Sequence, residues 1–91
     1  NKGILRMVGN PSKRLREDPL RIVRAARFAL TYNLTLDKKL KKAILANVSL
    51  INKLNPQKVK QDLQKIKNVD RNEIEKLFSD LSIKHLLDML D

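Results

Sequence analysis

The chain has 91 residues, 20 of them basic and 10 acidic, and its formal net charge is +10. A chain this basic favours polyanions, which leaves nucleic acid, an anionic membrane or an acidic partner open. It has no cysteine, which excludes disulfides and thiolate metal sites. The one histidine, His85, has no second His or Cys to share a metal, so we expect no metal site. No apolar run approaches the ~20 residues that span a bilayer, and no signal peptide is visible.

The N-terminal residues predict an extended segment followed by a turn. Residues 3–8 are apolar and compatible with a strand, and residues 9–11 form the turn sequence Gly-Asn-Pro. We expect this segment to be frayed or paired with another copy of the chain. Residues 12–16 are expected to be helical or turn-like and to bring Arg14 and Arg16 beside an acidic pair.

A long helix is predicted next. Asp18 is a good N-cap, and Pro19 can occupy the first helical position because no hydrogen bond is lost there. The helix is expected to end near Tyr32, with Asn33 as a left-handed stop. At 100° per residue its core-facing stripe contains Ile22, Val23, Ala26, Ala29 and Leu30.

The opposite face of this helix combines one acid with three arginines: Asp18, Arg21, Arg24 and Arg27. A solvated cationic face is the ordinary interpretation. However, solvated faces usually mix Lys and Glu at i,i+4, whereas these arginines recur every third position and repel one another. Arg is also suited to bidentate recognition of phosphates and base edges. Phe28 lies on the arginine side, where we expect a second layer of helices to cover it; the alternative is that it flanks a bound nucleotide.

The second helix is predicted from about Asp37 to Asn47, with Leu40, Ala43 and Ile44 facing inward. Its first turns carry four lysines: Lys38, Lys39, Lys41 and Lys42. They oppose the positive end of the helix dipole. Solubility is the plain interpretation, and contact with RNA phosphate is the alternative.

Residues 49–54 predict a short apolar turn or helix, and three more helices follow it. They are expected at 56 to about 67, 71–80 and 83–90, with caps at Asn55, Asp70 and Ser82. No strand alternation or hairpin signal appears after residue 11. The predicted fold class is therefore all-α, a small bundle of about five helices with extended N-terminal residues and no sheet of its own.

The string LRMVGNPSKRLREDPLRIVRAARFAL carries a denser signal than any of these elements. It resembles the segment joining head to neck in the class II tRNA nucleotidyltransferases and the related bacterial poly(A) polymerases. The pattern is Arg-x-x-Glu-Asp-x-x-Arg followed by Arg-x-x-Arg-Phe, dense from Ile4 to Leu30 and looser to about Lys67. The sequence departs from it at Asn33 and Leu34, where the family would have Gly and an aromatic.

The resemblance implies a domain organisation and a set of partners. Residues 1–11 would be an extended linker from a missing head domain, 12–67 the helical neck with its nucleotide-selecting motif, and 68–91 the C-terminal helices of the same domain. We expect the chain to be a piece of a longer, cytoplasmic transferase in tRNA processing. Its partners would be CTP, ATP, the 3′ end of tRNA or another RNA, and the head domain, with no membrane.

An Asp and an Arg three positions apart can distinguish nucleobases. Cytosine and adenine present an amine donor beside a ring-nitrogen acceptor, whereas uracil and guanine present a carbonyl beside a ring N–H. A carboxylate and a guanidinium therefore match C and A, and leave polar groups unpaired against U and G. By resemblance, Asp18 and Arg21 would recognise the base, and Arg24 and Arg27 would hold the nucleotide. Arg14 and Glu17 would support them.

Catalytic residues are not expected in this chain. Nucleotidyl transfer needs carboxylates that hold two metal ions, and in the family an Asp-x-Asp of the head domain holds Mg²⁺. No Asp-x-Asp occurs here, and Gly3 and Gly9 make no phosphate loop. The chain should bind no cofactor by itself and be inactive alone.

Two other interpretations stay open. A basic all-helical RNA-binding module without nucleotide selection explains the charge and the fold but not the acidic pair. A scaffold that binds partner proteins explains only the fold. Whether the parent adds CCA, CC, A or poly(A) is not encoded in this segment.

Overall fold

The computed structural model describes residues 3–90, and within them the predicted all-α class is confirmed. Five α-helices and two 3₁₀ helices account for most of the chain, with two very short strands between them. In order, the elements are β1 (Ile4–Leu5), α1 (Pro11–Glu17), α2 (Leu20–Thr31), β2 (Thr35–Leu36), α3 (Lys38–Asn47), a 3₁₀ helix (Val48–Lys53), α4 (Pro56–Leu63), α5 (Arg71–Asp80) and a second 3₁₀ helix (Lys84–Leu90).

Helix α2 occupies the middle of the bundle and contacts α1, α4, α5 and β1. Its predicted stripe is confirmed at Ile22, Val23, Ala26 and Ala29, which are buried, while Leu30 packs against the core half-buried. Facing side chains complete the core, among them Leu15, Leu40, Ile44, Leu63 and Phe78. Burial of each large side chain contributes about 1.5–3 kcal/mol to stability. The packing therefore determines which face of α2 lies outside the core. That face carries Arg21, Arg24 and Arg27 and is called the arginine face below.

The start of α2 differs from the prediction. Asp18 does not cap it: Asp18 closes α1, where its N–H donates to the carbonyl of Arg14 at 3.1 Å. Pro19 takes the N-cap position of α2, and no side chain caps that end. The helical conformation is disfavoured for a residue before a proline, and Asp18, at φ −147° and ψ 86°, lies outside it. Its backbone thus separates α1 from α2 and leaves its carboxylate beside the arginine face.

The end of α2 agrees with the prediction. Asn33 has φ 53°, the left-handed stop expected from the sequence. The N–H of Leu34 donates to the carbonyl of Ala29 at 2.8 Å, which closes the last turn. Tyr32 is the C-cap residue, and its N–H donates to the carbonyl of Phe28.

The strands β1 and β2 form a parallel two-residue ladder, with Ile4 opposite Thr35 and Leu5 opposite Leu36. The prediction of no sheet is wrong here, because a two-residue strand gives no alternation in the sequence. The N-terminal segment is thus paired within its own chain rather than frayed or paired with another copy. Residues 1–2 of the predicted linker, and Asp91 of the predicted C-terminal helices, lie outside the described residues.

Two predicted N-caps are confirmed, Asn55 on α4 and Asp70 on α5, and Asp37, where the second helix was expected to begin, caps α3. Each accepts a hydrogen bond from a backbone N–H two residues on. Two other boundaries are wrong. Helix α4 ends at Leu63 instead of near Lys67, because the chain tightens into 3₁₀ turns while its apolar residues still reach the core. Ser82 is not the N-cap of a following helix. Its φ of 61° is left-handed, and it lies just after the end of α5.

The predicted short segment after α3 is confirmed as the 3₁₀ helix Val48–Lys53, with Ile51 buried. The inward residues of α3 (Leu40, Ala43, Ile44) are buried as predicted. Within residues 3–90, no helix is both long enough and apolar enough to cross a membrane.

Candidate functional site

The arginine face of α2, formed by Arg21, Arg24 and Arg27, is held from the neighbouring helix α4. The carboxylate of Asp62 accepts a hydrogen bond from Nε of Arg27 at 2.5 Å and one from Nε of Arg24 at 3.4 Å. The Asp62 side chain is only 5% exposed, whereas Arg27 is 16% and Arg24 is 47% exposed. One buried carboxylate therefore relieves the repulsion between two guanidiniums and fixes both of them.

Sequence reasoning missed Asp62, although a signal for it was present. The apolar stripe of α4 contains Val59 and Leu63, and Asp62 falls beside Leu63, three residues after Val59. A buried acid is rare unless it is paired. An acid inside an apolar stripe, in a chain with unexplained arginines, would have pointed to this ion pair.

Asp18 and Arg21 come together at the N-terminal end of the arginine face. Nε of Arg21 lies 3.8 Å from Oδ2 of Asp18, an ion pair that is too long for a hydrogen bond. Nη1 of Arg21 donates to the carbonyl of Arg14 at 3.2 Å. Both charged side chains are still partly exposed, so a carboxylate acceptor and guanidinium donors stand side by side with hydrogen-bonding capacity left over.

The two supporting residues are placed differently from each other. Arg14 is exposed and contributes its backbone carbonyl to Arg21, so its support comes from the main chain. Glu17 is the last residue of α1, exposed, next to Asp18. Among residues 3–90, Glu17 is in no ion pair within 4 Å.

A surface pocket of about 240 Å³ adjoins the arginines. It is smaller than the roughly 300–1,000 Å³ of sites that enclose a small molecule. Phe28 stands at its wall and is only partly buried, so the cover expected from a second layer of helices is incomplete among the described residues. Cζ of Arg27 lies 4.5 Å from the centre of the Phe28 ring, a cation–π contact. The pocket is lined by Leu5, Met7, Arg21, Arg24, Ala25, Phe28 and Leu40.

The four lysines at the start of α3 are exposed, and among residues 3–90 none of them is in an ion pair within 4 Å. The structure divides them. Lys38 and Lys41 line a second pocket of about 460 Å³, between α3 and α5, whereas Lys39 and Lys42 do not. The sequence singled out the four lysines together but could not show which of them line this pocket.

In the part of the chain that the structure describes, no group of three or more His, Cys, Asp or Glu side chains could hold a metal ion. His85 is exposed. That the chain binds no metal or cofactor by itself stays a prediction.

Comparison with known proteins adds to this geometry. No protein-family model matches the chain. Over about 70% of its length it is similar to two kinds of curated enzyme, CCA-adding enzymes and poly(A) polymerases I. The CCA-adding enzyme of Limosilactobacillus reuteri (strain DSM 20016) is 35% identical over 65 residues, which are 71% of this chain and 16% of the relative. The poly(A) polymerase I of Salmonella typhi is 34% identical over 65 residues, 71% of this chain and 14% of the relative.

A third relative, the CCA-adding enzyme of Lactobacillus helveticus (strain DPC 4571), is 36% identical over 63 residues, 69% of this chain and 16% of the relative. The matched part of the chain thus spans only 14–16% of the length of these relatives. They are the two kinds of enzyme that the sequence resemblance indicates.

Proposed function

We propose that this chain is part of a template-independent tRNA nucleotidyltransferase of the CCA-adding or poly(A) polymerase type, and that it is the neck that selects CTP and ATP and contacts RNA. The observation that carries the proposal is the Asp18–Arg21 pair, which stands partly exposed beside two arginines anchored by Asp62. The similarity to CCA-adding enzymes and poly(A) polymerases I supports the same class.

Base selection follows from the chemistry of the pair. The Asp18 carboxylate would accept from the exocyclic amine of cytosine or adenine, and a free Nη of Arg21 would donate to the ring nitrogen. Uracil and guanine would set a carbonyl against the carboxylate, which leaves both unpaired at a cost of about 1–3 kcal/mol. The 3.8 Å separation leaves each group capacity for a base edge.

Arg24 and Arg27 would hold the nucleotide in unequal ways. The Arg24 guanidinium is about half exposed and uses Nε for Asp62, so its Nη groups can meet a phosphate or a sugar. Arg27 is largely buried against Asp62 and Phe28, and would act mainly by fixing that wall. Such anchoring lowers the entropy lost when a ligand binds.

The transfer step would be carried out elsewhere in the parent protein. Mg²⁺ held by the head domain would activate the attacking 3′-hydroxyl and stabilise the departing pyrophosphate. Residues 1–11 would then be the linker from that head, and residues 12–67 and 68–91 the neck and its C-terminal helices. The cytoplasmic location stays a prediction as well.

A nucleotide titration of the chain tests the proposal. We expect weak binding that follows CTP and ATP over UTP and GTP, monitored by chemical-shift changes of the Arg21 and Arg24 side chains. Asp18→Asn is the matched variant, since Asn keeps the size of the side chain but can present either a carbonyl or an amine. Loss of the preference in Asp18→Asn supports base recognition; equal binding of all four nucleotides by the unaltered chain contradicts it.

One observation favours a second candidate, a basic RNA-binding module without nucleotide selection. The exposed lysines of α3 form a cationic surface that needs no base specificity. This module would bind polyanions with a steep salt dependence and no preference among the four nucleotides. The same titration, repeated at several salt concentrations, separates the two functions.

A further inference from the structure

Aromatic side chains are scarce in this chain, and their placement is uneven. The sequence has two phenylalanines, one tyrosine and no tryptophan. Phe78 is fully buried in the core. The other two, Phe28 and Tyr32, lie one turn apart on α2 with ring centroids 6.0 Å apart and planes tilted by 37°. Tyr32 is 65% exposed, so the ring at the end of this pair faces solvent.

The tyrosine stands on a rigid support. Arg27 covers Phe28 at 4.5 Å, and Asp62 holds Arg27 from below. The backbone at Tyr32 is fixed as well, because its N–H donates to the carbonyl of Phe28 and the left-handed Asn33 ends the helix immediately after it. Little conformational entropy would thus be lost when a flat ligand stacks on the ring.

A single exposed apolar side chain is normal on a protein surface and by itself indicates no function. Here the tyrosine ring adjoins Phe28, and Phe28 in turn contacts the Arg27 guanidinium and lines the pocket beside Arg21 and Arg24, in a chain of net charge +10. Aromatic rings interleaved with cationic side chains are the arrangement that binds single-stranded nucleic acid, since bases stack on the rings while the cations meet the phosphates.

We infer that Tyr32, supported by Phe28 and Arg27, is a stacking platform for one unpaired base of an RNA strand. The base lies on the outer face of the tyrosine ring, and the phosphates beside it meet the arginine face. The inference rests on the RNA contact of the proposed function but not on nucleotide selection by Asp18 and Arg21. It names a residue for which the sequence pattern gave no role.

Tyr32 also provides the measurement, because it is the only tyrosine of a chain without tryptophan. Its fluorescence therefore reports one site. We expect a short single-stranded oligoadenylate to quench it in a saturable manner, whereas a strand of equal length and charge with abasic residues leaves it unchanged. Free tyrosine amide corrects for light absorbed by the bases. Binding of the oligoadenylate without quenching would overturn the inference.

Two variants separate ring stacking from apolar contact. Tyr32→Phe keeps an aromatic face, and Tyr32→Leu keeps apolar area without one. We expect Tyr32→Phe to bind a labelled oligoadenylate within about twofold of the unaltered chain, and Tyr32→Leu to bind it roughly 5- to 150-fold more weakly, the effect of one base–aromatic stack. Position 32 faces solvent, so both variants should fold and have the melting temperature of the unaltered chain.

The outcomes also distinguish this inference from the function on which it rests. If the unaltered chain binds no RNA, the RNA contact of the proposed function and the platform fail together. If it binds RNA and Tyr32→Leu binds equally well, the platform alone fails. Loss of nucleotide preference in Asp18→Asn leaves the platform standing.

Discussion

The arginines of α2 and the lysines of α3 carry similar charge, but the structure holds them differently. Arg24 and Arg27 share the buried carboxylate of Asp62, and Arg21 pairs with Asp18. The four lysines are exposed, and no ion pair restrains them among the described residues. Fixed guanidiniums can discriminate between hydrogen-bonding patterns, whereas mobile ammonium groups attract any phosphate. Under the proposed function, the arginine surface would supply selectivity and the lysine surface general affinity for RNA.

The largest expected effect comes from removing the acid that makes the two surfaces different. Asp62→Ala leaves two arginines facing each other without a counter-charge. We expect it to lower the free energy of unfolding by about 2–3 kcal/mol, somewhat below the loss at a fully buried pair because Arg24 is half exposed. Urea denaturation followed by circular dichroism measures this.

Asp80→Ala is the matched control for Asp62→Ala. It makes the same change of charge at an exposed position at the end of α5, away from the arginines. It should change stability by no more than about 0.5 kcal/mol. If the two variants unfold alike, Asp62 does not anchor the arginine face, and the difference between the two surfaces loses its cause.

The second effect concerns specificity in the parent enzyme. Asp18→Ala removes the acceptor for the exocyclic amine, at about 1.5–3 kcal/mol for a charge-assisted hydrogen bond, or roughly 10- to 150-fold in kcat/KM for CTP and ATP. The preference over UTP and GTP should collapse, because nothing then opposes a carbonyl at that position. Values of kcat/KM for the four nucleotides, at one salt concentration, are the measurement.

Arg24→Ala gives the contrast to Asp18→Ala. It should weaken all four nucleotides about equally, since it would contact phosphate or sugar. If Asp18→Ala also slows all four nucleotides by one factor, Asp18 has only a structural part at the α1–α2 junction.

The sequence predicted the features that depend on neighbouring residues better than those that depend on residues far apart in the chain. The caps Asn55 and Asp70 and the stop at Asn33 were predicted correctly, because each depends on a few neighbouring residues. The β1–β2 ladder joins residues about 30 positions apart, and two residues are too few to show alternation.

The partnership of Asp62 with the arginines was missed for the same reason, since it exists only once α2 and α4 pack together. The error at Asp18 has a different origin. Asp followed by Pro fits two roles, the N-cap of a new helix and the end of the previous one, and the structure shows the second. The proline restricts the backbone either way.

The third prediction tests the lysine surface. The double variant Lys38→Ala/Lys41→Ala removes the two α3 lysines that line the larger pocket, and Lys39→Ala/Lys42→Ala removes the same charge elsewhere on α3. If the lysines act only as mobile charge, both pairs should weaken single-stranded RNA binding by similar factors. Each should also reduce the slope of log affinity against log salt by up to about 1.4, or about 0.7 for each phosphate that is no longer neutralised. Neither should change the nucleotide preference.

A selective loss in either double variant would show that one pair of lysines lies along the path of the strand. A change in nucleotide preference would contradict the division of roles between the two surfaces. Fluorescence anisotropy of a labelled strand, measured at a series of salt concentrations, gives the affinities and the slope, and the nucleotide titration gives the preference.

The smallest expected effect lies at Asn33, the residue that ends the arginine helix and leads into β2 and the lysine helix. Asn tolerates the left-handed conformation better than other non-glycine residues, so Asn33→Ala should lower the free energy of unfolding by about 0.5–1 kcal/mol. Ser82→Ala is the control at a similar position, φ 61° at the end of α5, where the original residue has no such preference and the change should be smaller. Thermal or urea unfolding measures both. Nucleotide preference should be unchanged in Asn33→Ala, because Asp18 and Arg21 lie at the opposite end of α2. A loss of selectivity there would mean that the end of α2, and not only its anchored arginines, sets the geometry of base recognition.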